Sequence, residues 1–362
     1  MTHSTSLHPS LYTRACELFG VRYPVVQTGM GYVAGPRLTA ATANAGGLGI
    51  LGGSTMTFDE LAAAVREVRE LTDAPFGVNM RADQPDIDRR IDLVIREGVR
   101  VASFALAPKQ HLIQRLKDAG VVVLPSVGAR RHAEKVAAWG ADAVIVQGSE
   151  GGGHTGPVPT SLLVPQVVDA VDIPVIAAGG YHSGRGLVAA LAYGAVGIAM
   201  GTRFLLTSDS PVAENVKRVY LSKSVTDTVL TTEVDGVPQR LLVAGAIEGL
   251  VGTSAARRYL RAARNAVAFR KLSGMSWLDM IREGVSMKRT HELRWRQVFM
   301  AANAPMLYRA ALVHGRSDIG IMATGQVVGL IDDLPSCQEL IDRIMTEADA
   351  VLRRLAGEPG RS

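Results

Sequence analysis

Residues 143–204 read AVIVQGSEGGGHTGPVPTSLLVPQVVDAVDIPVIAAGGYHSGRGLVAALAYGAVGIAMGTRF. Three apolar runs stand out in this stretch, at 143–147, 174–178 and 197–204, and each meets glycine at or near its end. A short, continuously apolar run bounded by turn residues suits a strand buried on both faces. A helix-length segment between two such runs makes the strands parallel. Toward the N-terminus the same unit recurs at 25–27, 48–51, 76–80, 101–106 and 121–127. The starts of the eight runs are separated by 23, 28, 25, 20, 22, 31 and 23 residues. The gaps carry helical periodicity, as in FDELAAAVREVREL at Phe58–Leu71 and RRHAEKVAAW at 130–139. Eight βα units at this spacing predict a TIM (β/α)8 barrel of the α/β class. An open, doubly wound sheet is the alternative that periodicity alone does not exclude.

Beyond residue 204 the pattern changes. SDSP at 208–211 is a turn, and the next hundred residues are mainly helical in spacing, without strand partners. The expected organisation is a barrel over 14–212 and 318–357, with a helical lid at 213–317 inserted before the last barrel helices. The lid is basic. Between Ala213 and Ser317 there are 17 Lys and Arg against 8 Asp and Glu, in a chain whose net charge is only +5. Such a segment is either a solvated face or an attractor for an anionic substrate. Nucleic acid is not expected as a partner, because no helix-turn-helix, zinc-finger or RRM signature accompanies the charge. The two cysteines, Cys16 and Cys337, have no CxxC spacing, which argues against a thiolate metal site or a disulfide framework. No HxxxH or HExxH pattern is present, so no metal is expected. Residues 1–10 are polar, and no run of about 18 uncharged apolar residues occurs. The expectation is therefore a cytoplasmic protein that does not span a membrane.

In a barrel of this kind the ligand site forms at the strand C-termini, and phosphate binds after the seventh and eighth strands. Ala177-Ala178-Gly179-Gly180 and Gly201-Thr202 lie at those two places. Bare backbone there can donate N–H groups to a phosphate. After the sixth run, Gly151, Gly152 and Gly153 precede His154 in a loop that also holds Gln147 and Glu150. Three successive glycines raise the entropy cost of ordering a loop. They suggest backbone passing close to a flat cofactor, with His154 as the titratable group over it. His182 follows the seventh run beside the phosphate turn and reads as structural or phosphate-adjacent. Gly29-Met30-Gly31-Tyr32-Val33-Ala34 matches G-x-G-x-x-G/A, but the second run ends in Leu51-Gly52-Gly53-Ser54. A dinucleotide fold wants an acid there, so the match is rejected.

These stretches together resemble the nitronate monooxygenase (2-nitropropane dioxygenase-like) flavoproteins. The matching segments are QTGM at 27–30, NAGGLGILGG at 44–53, FGVN at 76–79, QGSEGGGHTG at 147–156, AAGG at 177–180, GTRF at 201–204 and GQVVGLI at 325–331. The resemblance implies an FMN bed of Gly29, Met30, Asn79, Gln147, Gly179, Gly180, Gly201 and Thr202, with Gly152 beside it and His154 as the active-site base. Two departures stand out: EGGGH replaces the more common EAGGH, and Thr155 stands where a basic residue is usual. REGVRVASFALAPKQ at 96–110, SEGGGHTGPVPTSLLVPQV at 149–167 and DDLPSCQELI at 332–341 are similar to an actinobacterial branch linked to steroid C/D-ring catabolism. That branch implies chemistry at the α,β carbons of a bicyclic acyl-CoA. Arg257, Arg258, Arg261 and Arg264, spaced 1, 3 and 3 apart, are candidates for its phosphates. Oxidation of an alkyl nitronate with O2 is the first rival, and a flavin-binding regulator without turnover is the second. The electron partner, NAD(P)H or another carrier, and the oligomeric state stay open.

Overall fold

The eight expected strands close on themselves. A computed structural model describes residues 7–248 and 295–357. The barrel strands are β1 (Val25–Gln27), β2 (Leu48–Leu51), β3 (Phe76–Met80), β4 (Val101–Phe104), β5 (Val122–Val127) and β6 (Val144–Gln147). After the two-residue β7 (Gly153–His154), the barrel resumes with β8 (Val175–Ala178) and β9 (Gly197–Met200). All its pairings are parallel, and β9 pairs with β1 through Val26 and Ala199 to complete the ring. The open-sheet alternative is thereby set aside. The eighth run is shorter than its apolar length suggests. Gly201 ends the strand, and Thr202–Leu205 turn at once into a short helix.

The helices are α1 (Arg14–Phe19), α2 (Pro36–Asn44), α3 (Phe58–Leu71), α4 (Ile87–Arg96), α5 (Gln110–Asp118), α6 (Arg130–Ala138), α7 (Thr160–Val168), α8 (Gly184–Ala192) and α9 (Thr202–Leu205). They are followed by α10 (Glu214–Leu221), α11 (Trp295–Leu312) and α12 (Cys337–Leu355). The strands read as unbroken apolar runs because both faces are covered. Leu48, Ile50, Val101, Val122, Leu124, Ile145 and Ile176 pack together with Phe19 of α1. The alternate residues Leu51, Val78, Ala102, Phe104 and Val123 pack on Leu61 and Val65 of α3, Ile91 and Val94 of α4, and Ile113 and Leu116 of α5. This is the two-residue period of a strand applied to two apolar layers. Local signals start the helices: Thr57 and Glu60 form a capping box at α3, as do Ser336 and Glu339 at α12.

The chain divides into two compact units. One comprises Met1–Gly151, Gly156–Pro211 and Leu330–Ser362, and the other Gly152–Thr155 and Val212–Gly329. The second unit runs to Gly329 and includes Gly152–Thr155, the residues around His154. It is also not helical throughout. Besides α10 and α11 it contains β10 (Thr228–Thr231) and β11 (Gln239–Leu242), and β7 adds to β11 to make a three-stranded antiparallel sheet. These strands are four residues long or shorter, too short to impose a period. The signal that marks them is Asp235-Gly236 between two apolar runs, with Gly236 at φ +84°. GQVVGLI at 325–331 contains a short 3-10 turn, Gln326–Leu330. Among the described residues, no helix is long and apolar enough to cross a membrane. The same residues contain no group of three or more His, Cys, Asp or Glu placed to hold a metal.

Candidate active site

Parallel strands end on one rim, so residues far apart in sequence arrive there together. In the barrel unit, Asn79 pairs in register with Ser103, and its Nδ2 lies 3.4 Å from Ser103 Oγ. Asn79 and Ser103 are buried, at interior-facing positions two residues beyond Gly77 and Val101. Gln147 stands two residues beyond the interior residue Ile145. Three polar side chains thus finish rows that are apolar below them. Gly29 meets this layer directly, since a Cβ there would come within 2.3 Å of Asn79 Cβ. A Cβ on Gly201 would lie 3.4 Å from Met30 Sδ and 3.3 Å from Thr28 Oγ1, which places the β1 and β9 ends side by side.

The two phosphate-turn candidates also lie on this rim. Gly179 and Gly180 follow β8 with φ of +98° and +80°. Around Gly180 there is room, for a Cβ would meet nothing nearer than Glu150 Cβ at 3.8 Å. Thr202 is buried at the start of α9, next to Arg203. Burial lowers the Arg203 pKa, and Asp333 compensates by accepting from Nη1 at 2.9 Å. His182 is half-buried. Burial pushes its pKa down, against a hydrogen bond to the Gly180 backbone. That bond ties the His182 ring to the backbone of the Gly179-Gly180 turn.

The glycines of the β6 loop also serve the fold. Gly151 leaves space for the Gln147 side chain, 2.7 Å from where a Cβ would stand. Gly152 leaves space for the backbone of Thr324, 2.5 Å away. Gly153 needs a left-handed φ of +69°. Each glycine therefore has a folding reason that becomes visible only when the remote segment is in place. Gly152 is occupied by the chain itself within the second unit. Glu150 is spent on the fold too: its carboxylate accepts from the Thr160 amide at 2.9 Å and the Thr160 hydroxyl at 2.8 Å, closing the N-terminus of α7.

His154, in the second unit, lies opposite Gln239 in the β7–β11 pairing. Its Nε2 is 2.7 Å from Asp235 Oδ2, with the two side chains 54% and 28% exposed. Asp235 Oδ1 accepts from the Val237 amide at 3.1 Å. Burial raises the Asp235 pKa, but the bond and charge of His154, the Val237 amide and the Gln239 side chain outweigh it, so the carboxyl sits below its ordinary range. Tyr308 of α11 donates to Gln239 Oε1 at 2.6 Å. Arg257, Arg258, Arg261 and Arg264 lie outside the described residues.

Sequence reasoning missed Gln27, Ser103 and Asp235. Gln27 is fully buried at the end of β1, where its Nε2 donates to the Ile50 carbonyl at 3.1 Å and its Oε1 has no partner among the described residues. The available signals were a polar residue closing an apolar run for Gln27 and a lone polar residue within one for Ser103. For Asp235 there was only the turn dipeptide, which speaks of a hairpin and not of a histidine 81 positions earlier.

The family profile described as Nitronate monooxygenase matches residues 13–89 and 86–347. The chain is 62% identical over 341 residues to (3aS,4S,5R,7aS)-5-hydroxy-7a-methyl-1-oxo-octahydro-1H-indene-4-carboxyl-CoA dehydrogenase of Mycobacterium tuberculosis (strain ATCC 25618 / H37Rv), covering 93% of this chain and 96% of that one. It is 59% identical over 344 residues to the dehydrogenase of the same name in Rhodococcus jostii (strain RHA1), covering 95% and 97%. The solved structure of FabK from Thermotoga maritima superposes with a TM-score of 0.78 at 34% identity, covering 95% of this chain and 98% of that one.

Proposed function

The chain belongs to the nitronate monooxygenase family of oxidoreductases, and from that premise we propose that it is an FMN enzyme that introduces a carbon–carbon double bond beside the thioester of a bicyclic, steroid-derived acyl-CoA. The observation that carries this reading is the 62% identity, over 93% of the chain, to a bicyclic carboxyl-CoA dehydrogenase. The barrel rim fits the cofactor. Backbone at Gly179, Gly180, Gly201 and Thr202 would hold its phosphate, and Gly29, Met30, Asn79 and Gln147 would hold its ring. Open space at Gly180 and the unpartnered, buried Gln27 Oε1 support that assignment. Gly152 would border the bed through its backbone, its missing Cβ leaving room for Thr324. When bound, FMN supplies a two-electron acceptor for hydride. His154 takes the proton from the carbon next to the thioester carbonyl, which that carbonyl makes acidic. The phosphates of CoA are assigned to Arg257, Arg258, Arg261 and Arg264, through charge-assisted hydrogen bonds.

Anaerobic titration of the flavin absorbance tests the reading, with bicyclic and simple acyl-CoAs, propyl-2-nitronate and NAD(P)H as separate reductants. Bleaching by a bicyclic acyl-CoA is expected. Bleaching by the nitronate alone would make the protein a nitronate monooxygenase. A flavin that none of them reduces would leave a regulator without turnover.

A further inference from the structure

We propose that Asp235 is the positioning residue for His154: it holds the imidazole through Nε2, so that Nδ1 carries the lone pair that accepts the substrate proton. The inference rests on His154 being the base, as proposed above, and it assigns a role to a residue outside the flavin bed.

The geometry is that of a built pair and not of two surface charges that happen to meet. Exposed ion pairs are worth about 0–1 kcal/mol, because both partners are free to leave. Here both partners stand on anchored backbone, although the imidazole itself is 54% exposed. Asp235 is anchored on its other oxygen by the Val237 amide at 3.1 Å, within the turn that joins β10 to β11. His154 is anchored by the β7–β11 ladder, which sets its Cα opposite that of Gln239. Gln239 is 1% exposed and is held in turn by the Tyr308 hydroxyl at 2.6 Å. The turn thus fixes Asp235, and the ladder fixes the backbone of His154, so that the carboxylate meets the imidazole at Nε2.

The consequence is chemical. A carboxylate only accepts hydrogen bonds, so the 2.7 Å contact requires the hydrogen on Nε2. In the neutral ring this leaves Nδ1 as the basic nitrogen. When Nδ1 takes a proton the ring becomes a cation, and the carboxylate faces it at hydrogen-bond distance. In this role Nδ1 would accept the proton from the α carbon and leave the pair of the broken C–H bond for the new carbon–carbon double bond, while FMN, when bound, would supply the two-electron acceptor for the hydride of the β carbon. Asp235 itself gains and loses nothing in the step.

The test uses the holoenzyme with Asp235→Asn and Asp235→Glu. Asp235→Asn should lower kcat about 100-fold, at the lower end of what a positioned base contributes, with KM for the acyl-CoA within about twofold. Asp235→Glu should recover at least about tenfold of that loss. A second readout needs no substrate: the ring 15N shifts of His154 should report hydrogen on Nε2 in the parent protein and a mixture of tautomers in Asp235→Asn. Full kcat in Asp235→Asn, or an unchanged tautomer, would overturn the assignment, as would equal losses in both variants. If no acyl-CoA reduces the flavin, the functional reading fails by itself, while the 15N shifts still decide whether Asp235 sets the ring.

Discussion

Gly180 and Gly152 stand in two glycine-rich loops, one in the barrel unit and one in the second unit, for opposite physical reasons. At Gly180 there is space for a side chain, but φ is +80°, a conformation L-residues adopt only at a cost. At Gly152 no left-handed φ is required, but the backbone of Thr324 stands 2.5 Å from where a Cβ would be. The first glycine is needed for its conformation and the second for its volume. The difference separates a loop with open space around it from one whose space is filled by the chain itself. The loops also differ in their neighbouring ion pair. In the barrel unit Arg203 of α9 pairs with Asp333, whereas in the second unit His154 of β7 pairs with Asp235 of the β10–β11 turn.

The largest expected effect follows from that last contrast. His154→Ala should reduce turnover of the acyl-CoA by about 10²–10⁴ while the purified protein keeps its flavin. Retained turnover would remove His154 as the base and leave the second unit's ion pair as structure only. Next come the two glycines. Gly152→Ala should cost about 1–3 kcal/mol through overpacking against backbone, seen as a lowered Tm at unchanged flavin content. Gly180→Ala should cost about 1–2 kcal/mol from the left-handed φ and should also loosen flavin. Asn at each position sharpens the test, because Asn tolerates a positive φ but not a missing volume. Gly180→Asn should keep most of the stability, and Gly152→Asn should lose more than Gly152→Ala. The opposite order would invert the comparison.

A smaller effect is expected at Thr160, whose hydroxyl touches both Glu150 Oε2 and the Gly179 carbonyl, at 2.8 and 3.1 Å. Thr160→Val should cost about 1 kcal/mol, read from denaturant midpoints, because the Glu150 bond to the amide survives. The smallest concerns Asp333. Burial raises its pKa, but the bonds from Arg343 and Arg203 outweigh it and hold the carboxyl below the ordinary range. A depressed folded-state value contributes stability that is complete above about pH 4, the unfolded value, and disappears as pH falls through the folded one. The stability gap between the parent protein and Asp333→Asn should therefore be full at neutral pH and shrink in acid. A gap independent of pH would mean that the pair adds packing rather than charge.

The barrel was legible because its signal is local and repeated. Each apolar run with its helix buries two layers, and eight repeats leave few arrangements other than closure. The rim was partly legible for the same reason. Asn79, Gln147, Gly179, Gly180, Gly201 and Thr202 stand at strand ends, where sequence position alone implies location. The β10–β11 hairpin was not legible, since strands of four residues carry no period and their pairing with β7 joins segments about eighty residues apart. Sequence by itself determined the eight βα units and the strand ends that gather on one side of a parallel sheet, because these depend on local periodicity, whereas closure of the ring was left to the β9–β1 pairing. Only tertiary structure decided that Thr324 fills the space at Gly152 and that Asp235 faces His154. Both depend on contacts between remote segments, and a contact of that kind leaves no mark on either segment alone.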